Sequence, residues 1–205
     1  MHIVLIVVVI LLVAAGLYIR TPAGKGALGE IIVRALIGRD KEGKRRSFHG
    51  FMFRDDFHTV EIDHIVINPY GVFVIETKSY SGKIYGHGNS ETWTQYLGRS
   101  EFKIYNPIKQ NRNHIVYLRK RLKTNLFIDS VIVLTANSEK KITSPSIPVI
   151  EPLQLRKHLK KDVPRLNADQ IEELHHIFKT VRKEDAVTKR EHVKNVKRHL
   201  RTKQR

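Results

Sequence analysis

The stretch that decides the fold is Thr59-Val-Glu-Ile-Asp-His-Ile-Val-Ile-Asn-Pro-Tyr-Gly-Val-Phe-Val-Ile-Glu-Thr-Lys78. Two runs rich in Val, Ile and Phe flank the segment Asn68-Pro-Tyr-Gly71. A proline followed closely by a glycine between two such runs is typical of a hairpin turn. The sequence therefore predicts two antiparallel strands joined by this turn, and we expect the rest of the domain to build on them.

The turn also predicts which residues of the two strands lie opposite each other. A two-residue loop and a four-residue loop centred on Pro69-Tyr70 both place Asp63 opposite Glu76. Opposed side chains in an antiparallel pair have Cβ atoms roughly 4.5–5.5 Å apart, which is close enough for two carboxylates to share one divalent cation. Because side chains alternate between faces along a strand, we expect Lys78 on the same face as Glu76.

Two carboxylates and a lysine on one face of an apolar hairpin have two explanations. One is a functional site, since charges buried without partners are costly. The other is a face that points to solvent, as one face of an antiparallel sheet commonly does, with Glu61 opposite Lys78 as a surface ion pair. Spacing alone leaves both explanations open.

The same residues resemble a known nuclease signature. Asp63, followed by Glu76-Thr-Lys78 at the end of the next strand, resembles the PD-(D/E)xK motif, although Ile62 stands where that motif has its proline. The wider pattern closely resembles the nuclease-related domain, NERD, which is placed in the same superfamily. The resemblance covers roughly residues 25–135, and its further matches are Gly29-Glu30, Val33, Gly82-Lys-Ile84, Trp93, Asn106-Pro107, Gln110 and His114.

The resemblance implies a fold and an activity. The fold is α/β, a restriction-endonuclease-like sandwich with an α-βββ-α-β core, and the activity is metal-dependent hydrolysis of phosphodiester bonds. Asp63 and Glu76 would then hold Mg²⁺ or Mn²⁺, with the carbonyl of Thr77 as a further ligand. Lys78 would orient the attacking water or stabilise the negative charge that develops on the phosphate.

Two predicted helices border the strands. Helical spacing of apolar residues predicts one helix over residues 27–38, and Asn106-Pro107 opens a second that continues to about Lys123. The resemblance implies that Glu30 is an auxiliary metal ligand or holds a water, and that Gln110 supports the metal site. For Glu30 there is an alternative, a favourable place in the first turn of a helix, near the positive end of the helix dipole.

The second helix is strongly basic, and the segment before it is rich in aromatic residues. A helix that contacts a nucleic-acid backbone carries such charge, although a solvated helix face explains it nearly as well. Residues 86–105 are expected to be irregular, with aromatic side chains that either pack on the sheet or stack on bases. The helix residues expected to bind nucleic acid are Arg112, Arg119, Lys120 and Lys123.

An uncharged apolar run stands near the start of the chain. Ile3–Ile19 has 17 residues. As a helix it would be about 26 Å long, slightly short of the hydrocarbon core of about 30 Å. The run predicts a single-pass transmembrane anchor, with a cleaved signal peptide and a buried core helix as alternatives. Because Arg20 and Lys25 follow it, the positive-inside rule places the rest of the chain on the cytoplasmic side of the cell membrane.

The amino-acid composition indicates which class of molecule the chain binds. The chain has 37 Lys and Arg against 20 Asp and Glu, a formal charge of +17, which favours a polyanionic partner, either nucleic acid or an anionic membrane surface. Cysteine is absent, which excludes disulfides and cysteine-ligated zinc. Residues 182–205 are predicted to form a basic tail, disordered or helical only on binding, that contacts nucleic acid or anionic lipid.

These observations predict five segments and one leading function. The segments are an anchor at 1–20, a linker at 21–26, a NERD-like domain at 27–150, C-terminal helices at 151–181 and the basic tail at 182–205. Asn167, with Gln170 three residues later, predicts a capping box at the start of the longer C-terminal helix. The leading function is a membrane-anchored, metal-dependent nuclease that acts on DNA or RNA at the cytoplasmic face. The alternatives are a non-catalytic nucleic-acid-binding or scaffolding module at the membrane, and a lipid-binding role for the tail alone.

Overall fold

The computed structural model describes residues 2–54, 59–124, 126–160 and 163–182. Within these ranges the protein is mixed α/β with two β-sheets, which confirms the predicted fold class at that level. The chain divides into two compact units. The first unit is drawn from Met1–Gly38, Ile75–Gln110 and Val131–Leu159, and the second from Arg39–Val74, Asn111–Ser130 and Lys160–Arg205.

Two helices precede the strands, a third lies between the sixth and seventh strands, and two more follow the last strand. The helices are α1 (His2–Tyr18), α2 (Pro22–Ile37), α3 (Pro107–Leu122), α4 (Leu155–His158) and α5 (residues 168–182). The strands are β1 (Arg46–Arg54), β2 (Thr59–Asn68), β3 (Gly71–Lys78), β4 (Gly82–His87), β5 (Thr92–Leu97), β6 (Ser100–Tyr105), β7 (Ile128–Leu134), β8 (Ser138–Thr143) and β9 (Val149–Ile150).

Helix α1 is apolar along its whole length. Its side chains from Val4 onward are mostly exposed. By length and composition, no single helix in the described ranges passes as a membrane span; Val4–Tyr18 and Pro22–Ile37 pass only as a pair, and this pair is bent by 93°. The structure therefore does not show the predicted single transmembrane helix.

Helix α2 begins five residues earlier than the sequence predicts. The hydroxyl of Thr21 accepts a hydrogen bond from the backbone N–H of Gly24 at 3.0 Å, and Pro22 occupies the first helical position. Both features favour the start of a helix. The segment predicted as a linker, residues 21–26, is therefore helical from Pro22. The predicted end is confirmed, because Gly38 follows the last turn with a φ of 79°.

The predicted hairpin is formed by β2 and β3. The two strands are neighbours in a five-stranded sheet of order β1-β2-β3-β7-β9, and only Pro69 and Tyr70 connect them, so they run antiparallel. The side-chain oxygen of Asn68 accepts a hydrogen bond from the N–H of Tyr70 at 2.8 Å. Gly71 has a φ of 139°, which residues with a side chain rarely adopt.

The core of the second unit is built around aromatic residues of β1. Phe48 stacks on Phe178 of α5, with ring centroids 5.7 Å apart, and α3 contributes Leu118 to the same cluster. The predicted capping box of α5 is confirmed, because Asn167 and Gln170 each accept a hydrogen bond from the other's backbone N–H at 2.9 Å. The predicted basic tail lies outside the described residues except for Arg182.

The second sheet has the order β6-β5-β4-β8 and corrects one prediction. Residues 86–105, expected to be irregular, form the hairpin of β5 and β6, which turns at Gly98 with a φ of 60°. Trp93 of β5 is buried against Ile84 and Ile104. The apolar residues of β5 and β6 do not alternate strictly with polar ones, since Tyr96 is followed by Leu97 and Ile104 by Tyr105, so no period of two marked these strands.

Candidate functional site

Glu76 and Lys78 form an ion pair at the end of β3. Lys78 Nζ lies 2.6 Å from Glu76 Oε1, which confirms that the two side chains share a face. Glu76 is only 1% exposed, and the Lys78 side chain is 23% exposed. The explanation of a solvent-facing carboxylate is therefore wrong for Glu76. A charge pair removed from water in this way carries a desolvation cost that a surface pair does not.

Tyr80 stands two residues beyond this pair and was missed by the sequence reasoning. Burial raises the pKa of its phenol, the Lys78 cation lowers that pKa, and the Glu76 carboxylate raises it. The hydroxyl is therefore protonated at neutral pH and able to donate a hydrogen bond. Tyr80 follows the motif in a short polar segment, where no periodicity marks it.

The strand end that carries Lys78 is fixed from two sides within the first unit. The N–H of Thr135 donates to the carbonyl of Lys78 at 2.9 Å, and the hydroxyls of Thr135 and Ser79 lie 2.5 Å apart. Helix α2 approaches the same two hydroxyls through Gly29, where a Cβ would collide with both oxygens. Gly29 is therefore needed for the close approach of α2 to the ends of β3 and β7.

Asp63 lies half-buried on β2, in the second unit. The β1–β2 pairing sets His49 opposite His64 and Phe51 opposite Ile62, which leaves Gly50 across from Asp63. Gly50 has a φ of 55° and places no side chain beside the carboxylate. The sequence reasoning missed Gly50. The predicted pairing of Asp63 with Glu76 joins residues of different units and stays a prediction.

A chain of polar contacts leads from the surface to the interior of the second unit. Ser47 donates to Asp40 at 2.6 Å and lies 3.4 Å from His49 Nε2, and the Nδ1 atoms of His49 and His64 are 2.8 Å apart. His64 is 2% exposed. Because one of the two Nδ1 atoms must donate and the other accept, this contact couples the tautomers of the two rings. Strand alternation sets His64 on the face of β2 opposite to Asp63.

Asn111 is a buried residue of α3 that the sequence reasoning also missed. Its amide nitrogen donates to the carbonyl of Val74 at 3.0 Å and to the hydroxyl of Ser130 at 2.9 Å. The side chain is fully buried. It therefore joins α3 to β3 and β7 just before β3 reaches Glu76. An asparagine on a predicted basic helix carries no sequence signal that separates this role from a surface position.

The two auxiliary residues lie on helices of the first unit. Glu30 is exposed on α2, and because α2 begins at Pro22 it lies in about the third turn rather than the first. The alternative explanation for Glu30, a favourable place near the positive end of the helix dipole, is therefore wrong. Gln110 is half-buried in the first turn of α3, which opens as predicted at Asn106-Pro107. The Asn106 side chain accepts from the N–H of Ile108 at 2.9 Å.

The basic residues of α3 differ in what they contact. Arg112, Lys120 and Lys123 are exposed. Arg119 is half-buried, and its Nε donates to the carbonyl of Leu126 at 3.1 Å. Arg119 therefore holds the segment that follows α3, which is a structural role the charge count did not reveal.

The chemistry of the donors fits a hard divalent cation. Among the described residues, no cluster of three or more His, Asp or Glu side chains is placed to hold a metal ion. Mg²⁺ commonly binds one or two carboxylates and keeps several of its waters. Glu76, a buried carboxylate, and the carbonyl of its neighbour Thr77 are oxygen donors of the type that Mg²⁺ and Mn²⁺ prefer.

Comparison with known proteins gives the family. An uncharacterized protein of Bacillus anthracis is 37% identical over 97 residues, which are 47% of this chain and 46% of that protein. The chain thus spans about half the length of this curated relative. No solved structure matches the chain. Residues 25–135 match the nuclease-related domain, and because this match covers more than half of the 205 residues, the chain belongs to the NERD, or nuclease-related domain, family.

Proposed function

We propose that this chain is a membrane-anchored, metal-dependent nuclease that hydrolyses phosphodiester bonds in DNA or RNA. The ion pair of Glu76 and Lys78 carries the proposal, because it sets a buried carboxylate and a partly exposed amine on one face at the end of a strand. The membership of the NERD family supports the same class of chemistry. A nuclease needs an anionic metal ligand and a nearby cation for the phosphate.

In this proposal Glu76 and Asp63 hold Mg²⁺ or Mn²⁺, and the carbonyl of Thr77 is a further ligand. The ion, when bound, would polarise the scissile phosphate and lower the pKa of its water. Lys78, which pairs with the Glu76 carboxylate in the metal-free protein, would bind a phosphate oxygen or the attacking water, where its charge would stabilise the transition state.

Neighbouring residues position these groups. Asn111 and Thr135 fix β3 on either side of Glu76, the first through the carbonyl of Val74 and the second through that of Lys78. Gln110 and Glu30 are proposed to support the metal and its waters. The protonated Tyr80 hydroxyl is a further donor beside the charged pair.

Nucleic acid is held through its backbone in this proposal. Arg112, Lys120 and Lys123 are exposed and supply charge without reading sequence. Arg119 contributes less, because its guanidinium is already bonded to a carbonyl. The order α2, β1 to β3, α3, β7 supports a restriction-endonuclease-like core in which β4 to β6 are an insertion. Helix α1 anchors the chain, with its domain in the cytoplasm.

The second candidate is a non-catalytic nucleic-acid-binding or scaffolding module at the membrane. The observation that favours it is the same ion pair, because Lys78 already neutralises Glu76 without a metal. The two candidate functions differ in whether the nucleic acid is cleaved. The module would bind nucleic acid through its basic surfaces and leave it intact.

Incubation of the full-length protein in detergent with labelled DNA and RNA, single- and double-stranded, tests the proposal. We expect cleavage only with Mn²⁺ or Mg²⁺, and its loss in Glu76→Gln. A matched control is Glu101→Gln, because Glu101 and Lys103 form a second Glu-x-Lys pair, 2.9 Å apart and exposed on β6. Intact substrates under all conditions, with binding retained, would favour the binding module.

A further inference from the structure

Helix α2 has an apolar face that the domain does not cover. Leu28, Ile31, Ile32 and Ala35 are exposed, and Ile31 is 62% exposed. At 3.6 residues per turn, these four side chains fall within an arc of about 100° around the helix. A continuous apolar stripe of this width on a helix surface is the feature that packs against another apolar phase. We call these four residues the outer face of α2.

The opposite side of α2 is attached to the first unit. Gly29, Val33 and Ile37 are buried and lie across the helix from the outer face. Gly29 touches the hydroxyls at the ends of β3 and β7, and Arg156 of α4 donates to the carbonyl of Leu36 at 3.0 Å. The outer face therefore points away from the part of the first unit on which α2 packs.

Helix α1 meets α2 on the side of the outer face. A Cβ at Gly24 would collide with the carbonyl oxygen of Tyr18 and with the Cα of Ile19. Gly24 falls within the same arc as Ile31 and Ala35 when the helix is viewed along its axis. The end of α1 thus touches the apolar side of α2, and the two helix axes differ by 93°.

Cationic side chains stand along the edges of the arc. Lys25 lies beyond one edge and Arg34 beyond the other, and both are exposed. Glu30 lies about a third of a turn or more outside the arc. Long cationic side chains beside an apolar stripe extend to anionic lipid headgroups while their stems cover apolar surface.

We infer that the outer face of α2 lies in the headgroup region of the bilayer into which α1 inserts. This inference rests on the membrane anchoring in the proposed function. A helix perpendicular to an inserted one lies in the plane of the membrane, and an amphipathic helix there buries its apolar face by about 5–10 Å. The outer face contacts the lipid surface. Its apolar side chains are buried among the lipids, and Lys25 and Arg34 bind anionic headgroups.

The arrangement gives α2 a function beyond that of a tether. Its buried side touches Ser79 and Thr135, next to the strand end that carries Lys78. A helix fixed in the membrane plane would therefore hold this strand end at a set height and orientation above the lipid.

Site-directed fluorescence tests the inference on the full-length protein, since the chain has no cysteine to interfere. Single variants Ile10→Cys, Ile31→Cys and Lys141→Cys are labelled with an environment-sensitive dye and reconstituted into phosphatidylcholine and phosphatidylglycerol vesicles. Some vesicles carry spin-labelled lipids, with the quencher shallow or deep. Lys141 is the matched control, because it is exposed on β8 in the same unit.

We expect the deep quencher to quench the label at position 10. The shallow quencher should quench the label at position 31 several-fold more strongly than the label at position 141. The label at position 141 should show little quenching. Quenching at position 10 with position 31 behaving like position 141 would overturn the inference and leave the anchor standing. Absence of quenching at both 10 and 31 would overturn the anchor and the inference together. In Ile31→Asp, shallow quenching of a label at Ala35→Cys should fall while α1 stays inserted.

Discussion

The ammonium of Lys78 lies 2.6 Å from the carboxylate of Glu76, whose side chain is almost completely buried. This relationship sets the electrostatics of the β3 end. A buried carboxylate next to one partly exposed cation is stable only while that cation, or another one, is in place. If the proposed function is correct, Lys78 occupies in the metal-free protein a place beside Glu76 that the divalent ion would otherwise take.

Removal of Lys78 should destabilise the metal-free protein and make its stability depend on metal. Lys78→Ala leaves the Glu76 charge buried without its partner, and we expect a loss of about 3 kcal/mol in the free energy of unfolding. Chemical denaturation measures it, with Lys103→Ala of the exposed Glu101 pair as the control that changes little. Mn²⁺ should restore more stability to Lys78→Ala than it adds to wild type. An equal gain in stability for both proteins would contradict the idea that Lys78 and the metal share the Glu76 carboxylate.

The side-chain amide of Asn111 should contribute more to the free energy of unfolding than that of a surface asparagine on the same helix. Asn111→Ala leaves the Val74 carbonyl and the Ser130 hydroxyl without their donor, and we expect a loss of about 1–3 kcal/mol. Asn113→Ala, at an exposed position of α3, should change stability by less than about 0.5 kcal/mol. Equal losses in the two variants would show that Asn111 does not fix β3.

The contact between β1 and α5 predicts a pH dependence of stability. Glu172 accepts two hydrogen bonds from Arg46 at 2.7 and 2.9 Å and one from the N–H of Gly43, and these bonds lower the pKa of Glu172 below its ordinary 4.5. Because the folded pKa is depressed, the stabilisation is present above pH 4.5 and is lost as the pH falls through the folded value.

Glu172→Gln should remove this acid dependence. We expect the variant to be less stable than wild type at pH 7 and to lose less stability between pH 4.5 and more acidic conditions. Denaturant titrations across this pH range measure the free energy of unfolding of both proteins. Glu173→Gln, at the exposed neighbouring position, is the control. Parallel pH profiles for wild type and Glu172→Gln would contradict the role of the Arg46 pair.

Truncation after Val181 tests the predicted basic tail. Residues 182–205 hold ten Lys and Arg, and their removal should weaken binding to nucleic acid or anionic vesicles. The dependence of the binding constant on salt should become shallower, because fewer counterions are released. Binding measured by fluorescence anisotropy at several salt concentrations gives this slope. An unchanged affinity and slope would assign the tail no part in binding.

Sequence reasoning succeeded where the signals were local. The turn at Asn68 to Gly71, the common face of Glu76 and Lys78, the end of α2 at Gly38 and the cap at Asn167 each depend on a few neighbouring residues. Strand alternation and capping chemistry act over such distances. The burial of Glu76, which separates a site from a solvated face, was left open because it depends on packing.

The errors and omissions came from tertiary contacts. Residues 21–26 were predicted to be a linker, yet Gly24 is a helical position. Gly24 and Gly29 lie where α2 closely approaches other backbone and side chains. Strand β4 pairs in parallel with β8, more than 50 residues away, and no short-range signal in the sequence indicates this pairing. Asn111 and Gly50 matter through partners on other elements, which spacing along the chain does not reveal.

The pairing of Asp63 with Glu76 around a metal is the central claim, and calorimetric titration of Mn²⁺ into the full-length protein tests it most directly. We expect binding to wild type that is weakened by Asp63→Asn and by Glu76→Gln, because each removes a charge from the cation's ligands. Lys78→Ala should bind Mn²⁺ as well as wild type or slightly better, and yet cleave more slowly. Glu101→Gln should match wild type in both properties. Absence of Mn²⁺ binding to wild type, with and without nucleic acid, would contradict the nuclease proposal and leave the binding module.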